Sequence, residues 1–91
     1  METIFDHGIT DEEFKLLFGK YRTKEDIRAI KDQDKHYELI AALYALRDDP
    51  VKMEEYIEKI KDPQFRTDTA RTLWTAYSTR KSMEEAKRPE E

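Results

Sequence analysis

Few residues in this chain are suited to chemistry. His7 and His36 are the two histidines, 29 positions apart. That spacing gives no local metal-ligand signature, because ligand pairs on one helix stand three or four residues apart. Asp6 adjoins His7, but adjacent residues do not face each other on a helix, so the pair forms no dyad. His7 precedes the first helical pattern and is expected on an exposed arm. His36 falls in the first turn of a helix, beside Tyr37, where its expected partners are Asp32 or Glu38 on the surface. Carboxylates gather at Asp11-Glu12-Glu13, Asp48-Asp49 and Glu54-Glu55. The first group suits the positive end of a helix, the second a loop and cap, the third a solvated face. With no Cys there is no thiol nucleophile, zinc knuckle or disulfide. No Gly-rich phosphate loop, calcium loop or exposed-nucleophile motif is present. The expectation is a protein with no catalytic residue, no metal and no cofactor.

The positive charges carry more. Arg66, Arg71, Arg80 and Lys81 fall within one helical stretch of an acidic chain. Thr67, Thr69, Thr72, Thr75, Ser78 and Thr79 make the outer side of that stretch polar, and only Asp68 interrupts it with an acid. The remaining surface is rich in Glu and Lys, so this helix reads as built for contact. Arg66, Arg71, Thr75, Ser78, Thr79 and Arg80 are the candidate partner-binding residues. Trp74 lies among them but belongs to the apolar stripe, which places it in the core. Tyr44, Trp74 and Tyr77 are of a type that stacks bases beside Arg71 and Arg80, yet periodicity turns them inward.

Five helical segments must position these groups. Thr10 and Glu13 form a capping box ahead of a first helix from Asp11 to Phe18, with Ile9 and Phe14 as staple and Gly19 as stop. Thr23 and Asp26 open a second, short one. The third, from about Lys35 to Arg47, carries Tyr37, Ile40, Ala41 and Tyr44 on one stripe and Leu39, Leu43 and Leu46 on another. A helix apolar on two sides must pack between others. Asp49-Pro50 starts the fourth helix, which buries Met53, Ile57 and Ile60. Asp62-Pro63 repeats that signal 13 residues later and starts the fifth, with Ala70, Leu73, Trp74 and Tyr77 as its stripe to about Lys81. The reading is an all-α bundle of four to five short antiparallel helices over residues 1–81, followed by a charged, mobile tail over 82–91.

Composition bounds the function. The chain has 91 residues, 37% of them hydrophobic and 42% charged, with a net charge of -4. It is one domain by size. The charge is too small for a nucleic-acid mimic and of the wrong sign for a general nucleic-acid binder. The longest nearly apolar run, Leu39 to Leu46, is far short of the roughly 20 residues that span a bilayer. The first residues lack the basic region and apolar core of a signal peptide, which predicts a cytoplasmic protein.

Tyr37, Ile40 and Tyr44 align with Ala70, Leu73 and Tyr77 at an offset of 33 residues, and Arg47 aligns with Arg80. Periods of this length belong to helical-hairpin repeats. The stretch from Tyr37 to Ile60, closed by Pro63, resembles one tetratricopeptide unit, with a partial second unit after it. Asp48 stands where that turn usually has Gly. Trp74 stands where the second unit wants a small residue. The resemblance implies a groove lined by the first helix of each unit, with Arg71, Thr75 and Ser78 or Thr79 facing a ligand peptide. Glu38 and Ala42 replace the family's basic and amide positions, so its peptide-carboxylate clamp is not implied. An ordinary five-helix bundle accounts for the same pattern. The expected function is a small non-enzymatic module that binds a protein or peptide, or a second copy of itself as a homodimer, through the third and fifth helices. The alternative is a small phage or mobile-element regulator that contacts nucleic acid or a nucleic-acid enzyme.

Overall fold

The computed structural model describes residues 1–86. The described chain is all-helical. A 3-10 turn, Ile4–His7, precedes α1 (Asp11–Phe18), α2 (Lys24–Arg28), α3 (Gln33–Leu46), α4 (Pro50–Glu58) and α5 (Pro63–Ala86).

Each start is written locally. Thr10 Oγ1 accepts the Glu13 N–H at 3.1 Å, and Glu13 Oε1 accepts the Thr10 N–H at 3.0 Å. Thr23 and Asp26 repeat the exchange at α2. Thr3 and Asp6 do the same for the 3-10 turn. Asp49 Oδ1 caps α4 through the Lys52 N–H at 3.1 Å, with Pro50 at the first position. Asp62 Oδ1 accepts from the Gln64 and Phe65 N–H groups at the start of α5. Such caps leave fewer backbone donors unpaired at a helix start. Gly19 ends α1 with φ +61°, a conformation that costs a residue with a Cβ. Asp48 adopts φ +60° in the turn between α3 and α4.

Helix α3 packs against α4, α5, α1 and the 3-10 turn. Its Leu39, Ile40, Ala41 and Leu43 are buried, against Ile4, Phe14, Ile27, Met53, Tyr56 and Ile57. The molecule measures 50 × 30 × 20 Å. Helix α5, with 24 residues, is the longest element among the described residues, about 36 Å at 1.5 Å per residue. It continues past the stop expected at Lys81 through Ser82–Ala86, because nothing in Ser-Met-Glu-Glu-Ala breaks a helix. The rest of the expected tail lies outside the described residues. Its stripe of Ala70, Leu73, Trp74 and Tyr77 is half-buried, and Thr69 is its one buried residue.

Arg47 joins the ends of three elements. Its guanidinium donates to both carboxylate oxygens of Glu13, at 2.8 and 3.0 Å, and to the His7 carbonyl at 3.0 Å. The Arg47 side chain, with the Thr10 N–H, holds the Glu13 carboxyl well below its ordinary range, at about 2. The group ionises more readily in the folded chain, so its stabilisation is complete above about pH 4.5 and is lost as pH falls towards 2. Glu13→Gln is expected to cost about 1–2 kcal/mol at pH 7. It should also flatten the acid limb of the stability curve between those pH values, as read from urea midpoints. An unchanged acid limb would show that the pair does not stabilise the fold.

Candidate functional site

Two regions bring polar groups together. The first is formed by the N-terminal arm. Glu2 Oε2 accepts from His7 Nε2 at 2.7 Å and from the Tyr56 hydroxyl at 2.6 Å, while His7 Nδ1 lies 2.7 Å from the Tyr44 hydroxyl. An ionised carboxylate only accepts, so Nε2 carries a proton and donates it to Glu2. The His7 ring meets those of Tyr44 and Tyr56 edge-on, at 5.4 and 5.0 Å between centroids. His7 is therefore not on an exposed arm: its side chain is only 12% exposed. The arm is held down by Gln33, which pairs with both backbone groups of Glu2 at 3.0 and 2.9 Å.

Burial pushes the Tyr56 hydroxyl far up, and the charge of Glu2 adds to it. Glu2 in turn is lowered, first by the Tyr56 hydroxyl and also by His7 and Lys59. The order hydroxyl, imidazole, carboxylate is that of a general-base relay. Neither of the clefts described below is lined by any of the four residues.

His36 also departs from expectation. It is buried at 1% exposure, and its Nε2 donates to the Ile30 carbonyl at 2.7 Å. His36, Ile40 and Leu43 follow i, i+4, i+7, which turns the ring into the core and away from Asp32 and Glu38. It closes the α2–α3 connection.

The second region is α5 and its flanks. Arg66 turns inward and donates to the Ile60 carbonyl at 2.7 Å, closing the end of α4. Arg80 does the same for α3, with the Ala45 carbonyl at 2.6 Å and that of Leu46 at 3.4 Å. Tyr77 donates to Asp48 at 2.7 Å and Lys81 pairs with it at 3.2 Å. Those two contacts hold the Asp48 carboxyl below its ordinary range. Arg71, Thr75, Ser78 and Thr79 are exposed. Among the described residues Arg71 makes no ion pair or side-chain hydrogen bond.

A cleft opens on each side of α5. On the α3 side, a hollow of about 240 Å³ lies between Leu17, Ala45, Leu46, Leu73, Ala76 and Tyr77. On the α4 side, one of about 430 Å³ is lined by Pro50, Val51, Glu54 and Trp74. Trp74 Nε1–H donates to Glu54 Oε1 at 2.7 Å, so the indole is oriented by α4 while its ring lines the hollow. Val51 is 76% exposed at its mouth. Arg71, Trp74, Thr75 and Ser78 share one helix face by their i, i+3, i+4, i+7 spacing, so the polar face predicted from sequence flanks Trp74, which alone of the four lines the cleft. Val51 and Pro50 went unnoticed in the sequence because an N-terminal Pro-Val reads as helix-start chemistry alone.

Among the described residues no helix is long and apolar enough to cross a membrane, and no three His, Asp or Glu side chains gather in a metal-binding group. No family model matches the chain, and no curated protein or solved structure is significantly similar to it.

Removing the Glu2 carboxylate leaves two donors without their acceptor. Glu2→Ala is expected to lower stability by about 2–3 kcal/mol, and Tyr56→Phe by about 1 kcal/mol. The double variant should fall short of their sum by about 1 kcal/mol, since both act on one hydrogen bond. Strict additivity in denaturant unfolding would mean that the network is not formed in solution.

Proposed function

We propose that this chain is a small cytoplasmic protein-interaction module without catalytic activity, which binds a protein or peptide through α5 and the grooves beside it. The observation that carries the reading is the state of α5. It is the longest helix of the described chain, it buries one residue, and it has an apolar cleft on each flank. Apolar hollows rimmed by polar residues mark interaction sites on small domains. Trp74 beside Arg71 supports the same reading, because Trp and Arg are enriched where binding energy concentrates.

The succession of α3, α4 and α5, each touching the other two, is in keeping with a tetratricopeptide-like hairpin followed by the first helix of a second unit. In that reading α3 and α5 line the groove, and Leu73, Ala76, Ala45 and Leu46 form its floor. Thr79, three residues after Ala76, stands on that side, and Arg71, Thr75 and Ser78 are the polar contact residues on the Trp74 side. Arg66 and Arg80 act through helix ends that they close, as positioning residues.

Arg71→Glu/Thr75→Glu changes two exposed side chains and is expected to leave the thermal melt unchanged. Used as bait, the variant should lose at least about tenfold in affinity for whatever the natural chain retains, itself included. Equal capture by variant and natural chain would reject the α5 face as the binding surface.

A further inference from the structure

The cleft between α4 and α5 has a distribution of charge that selects its occupant. On the α4 wall Glu54 and Glu58 stand one turn apart. The Glu54 carboxylate beside it pushes the Glu58 carboxyl above its ordinary range, and Arg66 offsets this only in part. Arg66 has its guanidinium on the Ile60 carbonyl, so the α4 wall keeps an excess of negative charge. On α5, one turn before Trp74, Arg71 is exposed and has no ion-pair partner among the described residues. Between the walls lie an apolar hollow of about 430 Å³ against Trp74 and a projecting apolar knob, Val51.

One patch thus holds an acid and a base on adjacent helices, and a knob beside a hollow. A surface that carries both halves of each complement fits itself under a two-fold rotation. Helices α4 and α5 are joined by the short link Lys59–Asp62 and run antiparallel. A two-fold axis along the cleft lays α4 of one copy on α5 of the other. Arg71 then faces the acidic pair on the second copy, and Val51 enters the hollow beside the other copy's Trp74. Helix α5 is about 36 Å long and α4, with nine residues, about 14 Å, so at about 10 Å of width each they present a face of roughly 500 Å². This is below the roughly 800 Å² per partner of a standard stable interface and fits a weak, concentration-dependent dimer.

We infer that the Trp74 cleft is the two-fold interface of a homodimer, in which Arg71 pairs with the acidic wall of a second copy of the chain and Val51 fills its hollow. The inference rests on the reading of α5 as a binding surface and names its occupant.

Sedimentation equilibrium of the full chain, from about 1 µM to about 1 mM, tests it. The natural chain is expected to dimerise with rising concentration, more weakly at high salt. Arg71→Glu and Glu58→Arg should each weaken the dimer by about tenfold or more, because each places like charges together twice across the axis. Arg71→Glu/Glu58→Arg should restore it, and Val51→Glu should abolish it. A natural chain that stays monomeric throughout overturns the inference. If Arg71→Glu/Thr75→Glu still abolishes capture of a foreign protein in that case, the cleft belongs to that protein and the module reading survives. A dimer indifferent to all these substitutions uses another surface, which overturns the inference too. Failure of the double exchange to restore a dimer that both single changes break overturns the pairing and the axis.

Discussion

Helix α3 has to be covered on two faces at once, and the other elements are placed by that need. Its Leu39, Ile40, Ala41 and Leu43 are all buried, a run of positions that goes around the helix and not along one stripe. A single neighbour covers only about a third of a helix. Helix α4 supplies the broadest cover with Met53, Tyr56 and Ile57. The short α1 and α2 and the 3-10 turn add one buried side chain each, Phe14, Ile27 and Ile4. In a chain of 91 residues this leaves little apolar material over. Helix α5 is the element that receives least of it, which is why its apolar side stays half open.

The helix ends that point into the molecule are closed by long side chains. Arg80 closes α3, Arg66 closes α4, and Arg47 ties the arm and α1 to the end of α3. Asp34 reaches from α3 to accept from the Lys61 and Asp62 N–H groups in the α4–α5 link. Buried carbonyls and amides left unpaired cost more than most single contacts contribute, so these few charged groups fix the angles between helices that apolar packing alone leaves loose. The bonus is a surface with few free cations near the clefts, against which Arg71 stands out.

Most helix starts were legible in the sequence because a cap and its partner lie within three residues, as Thr10 with Glu13 and Asp49 with Lys52; α3 starts two residues ahead of the expected Lys35, behind the Asp32 cap. The all-helical class was legible from the spacing of Tyr37, Ile40, Ala41 and Tyr44. The arm was not. His7 depends on Tyr44 and Tyr56, and no short-range pattern links positions so far apart. The half-buried hydroxyls of Tyr44 and Tyr56 were the available signal, since a tyrosine drawn into a core needs a partner for its O–H. The carbonyl contacts of Arg66 and Arg80 were not legible for a different reason. Helical position says where a side chain starts, and a guanidinium on a long stem can fold back to a carbonyl. Of the polar face read from sequence, the short side chains at Thr75, Ser78 and Thr79 lie where counting places them.

The first nine residues are held by Gln33, Tyr44, Arg47 and Tyr56, across separations of 31 to 54 residues. Closing a loop of that length is unfavourable until its target surface exists. The arm therefore docks onto a platform that α3 and α4 have already made, although it leaves the ribosome before either. For the time it takes to synthesise some fifty residues, at roughly 5–20 per second, Ile4 and Phe5 have nowhere to go. The glutamate, imidazole and two phenols that secure the arm can meet only once α3 and α4 are in place.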